Sequence, residues 1–440
     1  MAKMEDNMDI KRIFDIYRRH SVITTDSRDC PPGSIFVALR GEKFDGNKFA
    51  ATALRNGCSY AVVDNPEYAT DDRFLLVPDA LQALKELARE HRRQYGIPVI
   101  GITGTNGKTT TKELIAAVLA ERFSVHCTQG NFNNDVGVPK TLLQLRPEHE
   151  ISVVEMGASH PGDIKTLAET AEPTCGLITN VGRAHLQGFG SFEGVKRTKG
   201  ELYDFLVGRG ATIFVNADNA DLMGMAAERN ATNIVKYGKT TDDSVSVRGK
   251  VIDCAPFLRF AWHAGGGEEH EVRTSLIGSY NIDNMLAAVA VGLYFGVPEE
   301  KICNALSAYV PTNNRSQMTV TRHNHLIVDA YNANPSSMKA AIENLCDMDV
   351  PARMAILGDM RELGAASGEE HQRVVDMLRD KGLADVWLVG EEFGKTDCRF
   401  RKFRSTEEVE AELAAHRPEG RYILIKGSNG IRLFTLRGLL

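Results

Sequence analysis

The residues of the segment 104–110 have the types and spacing of a phosphate-binding loop: Gly104, Thr105, Asn106, Gly107, Lys108, Thr109 and Thr110. They follow the apolar run VIGI and precede a stretch of helical periodicity, so the loop should join a strand to a helix. In a loop of this type, backbone N–H groups surround phosphate oxygens. Lys108 is then expected to reach the β- and γ-phosphates, and the Thr109 hydroxyl to bind Mg²⁺. Ile102 replaces a glycine of the general pattern, while Gly101 lies one place earlier. The flanking strand and helix favour a nucleotide site over a chance glycine turn.

Phosphoryl transfer needs more neutralising charge than one lysine supplies, so metal ligands are expected at neighbouring strand ends. Glu155 ends the apolar run ISVVE, and His185 follows the next run, GLITNV. The carboxyl ends of parallel strands converge, and a buried acid needs a metal or a basic partner. Glu155 and His185 are therefore predicted to bind Mg²⁺, although a lone histidine is equally often structural. Lys199, taken alone, has the character of a solvated surface lysine.

Strand-like and helical runs alternate along most of the chain, which predicts an α/β fold with parallel sheets covered on both faces. The first part contains the runs SIFVAL, AVVD and FLLV, then a helix from Asp79, which should cap it. From Val245 to Leu276 an alternating pattern around three glycines predicts an antiparallel segment. Beyond Pro311 the alternation resumes without a GxGxxG motif, and Ser405 with Glu408 predicts a capping box.

The length of 440 residues exceeds what one hydrophobic core supports, so several domains are expected. We predict three: residues 1–97 as a small N-terminal α/β domain, 98–311 as a central parallel-sheet ATPase domain, and 312–440 as a Rossmann-like C-terminal domain. Flexible joints are expected near Ile97–Pro98 and Pro311.

The overall charge is mildly acidic, with 52 Lys and Arg against 58 Asp and Glu and a net charge of −6. This balance favours neither nucleic acid nor a membrane surface as partner. The N-terminal residues carry both charge signs, the longest apolar stretch is too short to cross a bilayer, and the eight cysteines have no metal-ligand spacing. A cytoplasmic enzyme without membrane insertion is therefore expected. The sequence does not fix the oligomeric state, and a monomer is the default expectation.

Several segments together resemble the Mur ligases, the ATP-dependent enzymes that add amino acids to UDP-N-acetylmuramic acid. The resemblance rests on GITGTNGKTTTKEL (101–114), GNFNNDVGVPKTLL (130–143), VVEMGASHPGDI (153–164), ITNVGRAHL (178–186) and KGEL (199–202). The displaced Gly101 also matches that family's loop. These matches run through most of the chain and imply an amide ligase of cell-wall synthesis with ATP and Mg²⁺ as cofactors.

The C-terminal motifs narrow the resemblance within the family. DAYNANPSSMKAAI (329–342), LGDMRELG (357–364) and KGSNGIRL (426–433) look like the members that add D-alanyl-D-alanine to UDP-N-acetylmuramoyl-tripeptide. The diaminopimelate-adding members carry a C-terminal DNPR that is missing here. Folylpolyglutamate synthases lack the uridine-binding first domain that TDSRDCPPGSIFVALRGEKFDG (25–46) resembles.

The resemblance also implies a role for each matching residue. Lys108 and Thr109 would hold the γ-phosphate and a first Mg²⁺, Glu155 and His185 would complete the metal ligands, and Lys199 would be carbamylated to bind a second Mg²⁺. The implied nucleotide-lining residues are Asn281, Asn284, Arg315, Asp329 and Tyr331. The implied substrate residues are Ser27, Arg28, Asp45 and Gly46 for the uridine diphosphate, Asn133, Asn134 and Asp135 for the muramoyl peptide, and Lys426 and Ser428 for the dipeptide.

Alternatives remain open for some of these assignments. Asn281 could simply cap its helix, and Tyr331 could be a packed aromatic residue. A nucleotide-dependent switch or a ligase for another acceptor would also use the loop. No motif distinguishes a tripeptide ending in L-lysine from one ending in diaminopimelate.

Overall fold

The first elements form a small parallel sheet. The computed structural model describes residues 2–184, 186–254, 256–311 and 317–440. Strands β1, β2, β5 and β6 pair in that order, all parallel, and β3 and β4 form a separate antiparallel pair. In chain order the elements are α1 (Ala2–His20), β1 (Ile23–Thr24), β2 (Ile35–Val37), β3 (Arg40–Gly41), β4 (Phe44–Asp45), α2 (Ala50–Arg55), β5 (Tyr60–Val63), β6 (Phe74–Leu76) and α3 (Ala80–Arg93).

The middle of the chain alternates strands and helices as expected and then turns antiparallel. Its elements are β7 (Val99–Thr103), α4 (Lys108–Ala120), β8 (Val125–Cys127), α5 (Gly137–Leu142), β9 (Ile151–Glu155), α6 (Asp163–Ala171), β10 (Cys175–Ile178), α7 (Leu186–Phe189), α8 (Phe192–Val207), β11 (Thr212–Asn216), α9 (Ala220–Glu228), β12 (Ile234–Gly238), β13 (Val247–Cys254), β14 (Phe257–Ala264), β15 (His270–Ile277), α10 (Ile282–Tyr294) and α11 (Glu299–Ala308). Strands β13, β14 and β15 pair antiparallel, which confirms the predicted antiparallel segment.

The last part of the chain is a doubly covered sheet with the strand order β16-β17-β21-β18-β19-β20. Its elements are β16 (Gln317–Val320), β17 (His325–Asp329), α12 (Pro335–Asp347), β18 (Arg353–Gly358), α13 (Ser367–Asp380), β19 (Val386–Val389), α14 (Glu391–Gly394), β20 (Arg401–Phe403), α15 (Thr406–Ala415) and β21 (Tyr422–Lys426). Strand β16 is antiparallel to β17, and the other pairs are parallel.

Alternating side chains of these strands enter two separate cores. Ile327 packs into one core, whereas its neighbours Leu326 and Val328 pack into the other. This alternation is what a sheet buried on both faces requires. The α/β class with parallel-rich sheets is therefore confirmed.

Two predicted helix caps have different outcomes. Asp79 caps α3, because its Oδ1 accepts a hydrogen bond from the backbone N–H of Gln82 at 2.9 Å. The capping box at Ser405 is wrong, since that side chain makes no capping bond to α15. Instead, the Glu408 carboxylate accepts the N–H of Arg404 at 2.7 Å, one residue farther back.

The chain forms two compact units, each assembled from separate stretches. The first contains Met1–Gly101, Phe123–Gly157 and Asp163–Cys175, and the second contains Ile102–Arg122, Ala158–Gly162 and Gly176–Leu440. Within the first unit β9 pairs with β8, and within the second the strands β15-β14-β13-β12-β11 follow one another in the sheet. The three domain boundaries drawn from the sequence stay a prediction.

Within the first unit, helix α3 is bound to later helices through its last turn. The Arg92 guanidinium donates to the carbonyls of Ala171 and Glu172 at 3.2 Å each, and to those of Tyr95 and Ile97. The Arg93 guanidinium pairs with the Glu172 carboxylate at 2.6 Å. These bonds tie the segment before Pro98 to the end of α6, which opposes the flexible joint expected there.

Candidate active site

The phosphate-binding loop joins strand β7 to helix α4, as the sequence predicts. All five residues of β7 are buried, and α4 begins at Lys108 directly after the loop. Gly107 occupies the N-cap position in the left-handed region, with φ +79° and ψ −5°. The helix therefore directs its positive end toward the loop, which is the arrangement that favours a bound anion.

Two glycines of the loop have no room for a side chain. A Cβ atom at Gly104, where φ is +145°, would lie 2.0 Å from Thr179 Oγ1. A Cβ atom at Gly107 would lie 2.6 Å from Asn284 Oδ1. The loop backbone thus packs directly on its supports, and glycine is required for both conformation and space.

The support beneath the loop comes from the residues that follow strand β10. The backbone N–H of Thr105 donates to Asn180 O at 3.0 Å, and that of Asn106 donates to Asn180 Oδ1 at 2.9 Å. The Asn106 carbonyl accepts from Thr179 Oγ1 at 2.6 Å and from Asn180 Nδ2 at 3.0 Å. These four bonds fix the backbone of the loop to the residues that follow β10.

The two residues with predicted phosphate and metal roles lie at the start of α4. Lys108 Nζ donates to the carbonyls of Gly104 and Thr105 at 2.7 and 3.0 Å. Its ammonium is therefore held against the loop. Thr109 is buried at the next position of the helix. Their assignment to the γ-phosphate and Mg²⁺ stays a prediction.

Asn281 and Asn284 belong to a buried amide chain that connects α10 to α4. Asn281 Nδ2 donates to Ile277 O, and Asn284 Nδ2 donates to Asn281 Oδ1, both at 2.8 Å. Asn284 Oδ1 accepts from Thr111 Oγ1 at 3.0 Å. Asn281 stands at the N-cap position of α10 but makes no side-chain capping bond, so its amide serves this chain of hydrogen bonds instead.

Glu155 lies at the end of strand β9 with only 1% of its surface exposed. Asn133 Nδ2 donates to Glu155 Oε1 at 2.7 Å, and the backbone N–H of Glu155 donates to Thr128 Oγ1 at 3.0 Å. One amide thus orients the predicted metal-binding carboxylate. Asn134 Oδ1 accepts the N–H of Gly137 at 2.8 Å, whereas the neighbouring Asp135 is exposed.

Lys199 lies on the buried face of α8 with 2% of its surface exposed, so the expectation of a solvated surface lysine is wrong. Its Nζ is 5.6 Å from the centroid of the Phe189 ring. Burial disfavours the charged form of an amine relative to its neutral form. His185, its predicted neighbour in the metal site, lies outside the described residues.

At the C-terminal sheet, two predicted site residues meet at the ends of paired strands. Asp329 ends β17 and Lys426 ends β21, in register. Lys426 Nζ donates to Asp329 Oδ2 at 2.6 Å and to Asn332 O at 3.1 Å. Ser428 Oγ accepts the N–H of Arg361 at 2.9 Å.

Two further residues with predicted nucleotide contacts are Tyr331 and Arg315. Tyr331 is half-buried beyond the end of β17, which leaves its packing alternative open. Arg315 lies outside the described residues.

The predicted uridine-diphosphate residues lie at two places in the N-terminal part: Ser27 and Arg28 follow β1, and Asp45 and Gly46 lie where β4 ends and a short 3-10 helix begins. Asp45 Oδ1 accepts the N–H of Asn47 at 3.0 Å and its Nδ2 at 2.8 Å, and these bonds lower the pKa of Asp45. A Cβ atom at Gly46 would lie 2.4 Å from Leu39 O. Arg28 is exposed beside Asp26, and the Ser27 carbonyl accepts from Asn56 Nδ2 at 2.8 Å.

A cavity of about 510 Å³ lies in the second unit. One wall is formed by Arg183 and by residues from α7 to the start of α8, and the other by the segment from Leu363 to Ala366. The first wall lies directly after the loop support at Asn180. This position offers room for a small substrate.

Among the described residues, no group of three or more His, Cys, Asp and Glu side chains is arranged to hold a metal ion. Magnesium does not require such a group, because it usually binds one or two carboxylates together with substrate phosphates and water. A carboxylate such as that of Glu155 and a hydroxyl such as that of Thr109 are oxygen donors of the kind that Mg²⁺ prefers. Each residue by itself therefore fits a role as a magnesium ligand in company with a nucleotide, and their joint site stays a prediction.

Several residues that support the site lie outside the recognised motifs. Thr179, Asn180, Thr111 and Asn47 contact predicted site residues, and the motifs did not predict these contacts. One signal was available: a Thr-Asn pair directly follows the buried run GLI, at the strand end where ligands collect.

In the described part of the chain, no helix combines the length and apolar character needed to span a membrane.

Comparisons with known proteins agree with this architecture. Three family models match: the Mur ligase family catalytic domain at residues 19–92, the Mur ligase middle domain at 102–292, and the Mur ligase glutamate ligase domain at 314–429. A UDP-N-acetylmuramoyl-tripeptide–D-alanyl-D-alanine ligase of Synechocystis sp. is 34% identical over 423 residues, covering 93% of this chain and 90% of the relative.

Solved structures give the same result. MurF from Acinetobacter baumannii is similar with a TM-score of 0.87 at 32% identity, covering 94% of this chain and 92% of that chain. MurF ligase from Thermotoga maritima in complex with ADP has a TM-score of 0.84 at 28% identity, covering 95% of this chain and 96% of that chain. The resemblance drawn from the sequence motifs is confirmed, and the chain belongs to the Mur ligase family.

Proposed function

We propose that the chain joins D-alanyl-D-alanine to UDP-N-acetylmuramoyl-tripeptide at the expense of ATP, a step of peptidoglycan synthesis. The observation that carries the proposal is the rigid phosphate loop at the head of α4, with Gly104 and Gly107 packed against Thr179 and Asn284. The named relatives and the ADP complex of the Thermotoga maritima ligase support the choice of reaction and nucleotide.

The loop and the neighbouring strand end would bind the triphosphate and its metal. Backbone N–H groups at the start of α4 and the Lys108 ammonium attract the β- and γ-phosphates. Thr109, Glu155 and His185 would hold Mg²⁺, which when bound neutralises charge on the phosphate oxygens. Asn133 orients the Glu155 carboxylate through its 2.7 Å hydrogen bond.

Lys199 is proposed to react with carbon dioxide to form a carbamate. The ammonium ion first loses one proton, the neutral amine nitrogen then forms a bond to the carbon as one C=O π bond opens, and a second proton leaves the nitrogen. The cation thereby becomes an anion that would bind a second Mg²⁺. The burial of this side chain supports the proposal, because burial favours the neutral amine, which is the form that reacts with carbon dioxide.

The proposed reaction has two steps, and in each a nucleophile displaces a leaving group. The tripeptide carboxylate attacks the γ-phosphorus of ATP and ADP leaves, giving an acyl phosphate; Lys108 stabilises the charge that develops on the transferred oxygens. The dipeptide amine then attacks the acyl carbon, phosphate leaves, and the amine loses a proton to give the amide. Acyl phosphates hydrolyse readily, so the site must exclude water during this sequence.

The remaining residues would position the substrates. Ser27, Arg28, Asp45 and Gly46 would bind the uridine diphosphate, and Asn133, Asn134 and Asp135 the muramoyl peptide. Asn281, Asn284, Arg315, Asp329 and Tyr331 would line the nucleotide. Lys426 and Ser428 would serve the dipeptide, and Lys426 also fixes the Asp329 carboxylate at 2.6 Å.

The same proposal includes the organisation and location of the protein. Residues 1–97, 98–311 and 312–440 would form three domains that bind UDP-linked substrate, ATP and dipeptide respectively. The protein would work in the cytoplasm as a monomer.

The test is ATP-dependent phosphate release with UDP-N-acetylmuramoyl-tripeptide and a panel of amines. D-alanyl-D-alanine should support release, and mass spectrometry should show the pentapeptide product. Activity with a free amino acid or with a folate acceptor instead would overturn the assignment. Nucleotide binding without amide formation in any mixture would point to a switch. Running both tripeptides, ending in L-lysine and in diaminopimelate, identifies the accepted third residue.

A further inference from the structure

The tip of the phosphate loop contacts the C-terminal sheet region through one pair of amide side chains. Asn334 Nδ2 donates to Asn106 Oδ1 at 2.8 Å, and the reverse pair, Asn106 Nδ2 to Asn334 Oδ1, is 3.5 Å apart. We propose that this pair is a latch that couples the position of the C-terminal region to the conformation of the phosphate loop. The inference rests on the proposed function and makes Asn334 a positioning residue.

Asn106 is suited to this role because its backbone and side chain serve different partners. Its N–H and carbonyl are bound by Thr179 and Asn180, which fixes the loop from below. Its side chain is directed to Asn334. Any displacement of Asn334 therefore acts on a residue in the middle of the phosphate loop.

Asn334 is equally well anchored on the other side. It is the N-cap of α12, where its Oδ1 accepts the N–H of Ser337 at 2.9 Å and its own N–H donates to Ser337 Oγ at 3.1 Å. Asn334 is buried, with 6% of its surface exposed. A rigid helix end thus carries the amide that meets the loop.

Other polar contacts lie near this pair. The backbone N–H of Arg183 donates to Ser336 Oγ at 3.3 Å, and its guanidinium donates to Glu370 Oε1 at 3.0 Å. The backbone N–H of Gln187 lies 3.4 Å from Glu362 O. Apolar packing contributes as well, because Ile277 of β15 is buried in the same cluster as Ile327 and Met338. Of these contacts, the amide pair is the one that includes a residue of the phosphate loop.

The coupling must act in both directions. If closure of the C-terminal region stabilises the loop conformation that binds nucleotide, bound nucleotide stabilises closure by the same factor. Nucleotide would thereby prepare the cavity between Arg183–Phe192 and Leu363–Ala366 for the incoming dipeptide.

The test replaces Asn334 by serine. Serine is about as good an N-cap as asparagine, so α12 keeps its cap, but the shorter side chain loses contact with Asn106. The matched control is Asn219→Ser, which makes the same change at the N-cap of α9, where Asn219 Oδ1 accepts from Leu222 at 3.1 Å. ADP affinity by calorimetry and KM and kcat for the dipeptide are measured for each variant.

Loss of one neutral hydrogen bond of ordinary strength should weaken ADP binding and raise the dipeptide KM about fivefold, with the thermal midpoint equal to that of the control. Asn106→Ala should have a similar effect, and the double variant Asn106→Ala/Asn334→Ser should be no worse than either single variant. Independent, multiplying effects would overturn the latch, as would ADP affinity within twofold of wild type in both single variants. The measurement of ADP affinity does not depend on the identity of the amine. It therefore tests the latch even if the proposed ligase reaction is wrong.

Discussion

Replacing Gly104 by alanine tests the dependence of the phosphate loop on the support beneath it. The new Cβ atom would lie 2.0 Å from Thr179 Oγ1 and 3.0 Å from Thr179 N, at a residue with φ +145°. Strain in a backbone region reserved for glycine costs about 1–3 kcal/mol. Overpacking costs about 1–3 kcal/mol more. Together they amount to about 2–6 kcal/mol, or about 30-fold to more than 10 000-fold in an equilibrium constant.

The loop can relieve this clash only by moving away from Thr179, which shifts its N–H groups relative to the bound phosphates. A displacement of about 1 Å costs on the order of 100-fold in rate. We therefore expect kcat/KM for ATP, measured by phosphate release, to fall at least about 30-fold. ADP affinity from calorimetry should fall in parallel.

Two further variants separate the causes. Gly210→Ala is the matched control, because φ there is +64° and a Cβ atom would have no heavy atom of the described residues within 4 Å. It should leave kcat/KM unchanged. Thr179→Ala, added to Gly104→Ala, removes the atom at 2.0 Å and should restore part of the activity. The reasoning is refuted if Gly104→Ala stays within threefold of wild type, or if the second substitution restores nothing.

Three other changes test separate parts of the site and the fold. Lys108→Ala should abolish turnover, and a loss below tenfold would contradict its phosphate role. Lys199→Ala should be nearly inactive and partly rescued by added acetate, and a near-normal rate would exclude the carbamate. Burial lowers the pKa of His126 to about 4 from an ordinary value of 6.5. The unfolded chain binds the extra proton first, so this stabilisation, about 3 kcal/mol, is complete above pH 6.5 and is lost as pH falls to 4. His126→Gln should flatten the pH dependence of unfolding free energy from urea titrations, and an unchanged slope would refute the assignment.

The sequence predicts the main elements well, because their apolar patterns are strong. Strand β7, the loop and α4 were all expected, since a β-branched run, two glycines and a helical period follow one another. Strand β20 was not expected. Its three residues, Arg401–Phe403, are mostly charged and lie at the sheet edge, where pairing depends on the neighbouring strand rather than on an apolar pattern.

The candidate site was predictable where a residue follows directly from a strand or loop motif. Glu155 was found from its place after an apolar run, and the structure buries it at the end of β9. Asn180 was missed because its bonds to Asn106 join residues 74 positions apart, and no local pattern reports such a contact. Lys199 was misjudged from its residue type alone, since only the packing of α8 reveals that it is buried.

The distance in sequence between the loop and its support has a consequence for the order of events during translation. Thr179 and Asn180 are synthesised 73 to 74 residues after Asn106, yet they supply the bonds that fix its N–H and carbonyl groups. A nascent chain ending before β10 therefore contains the complete GTNGKT segment without the scaffold that shapes it. The loop conformation should therefore form only after β10 and the two residues that follow it have left the ribosomal tunnel and paired with β7, and nucleotide binding should not precede that event.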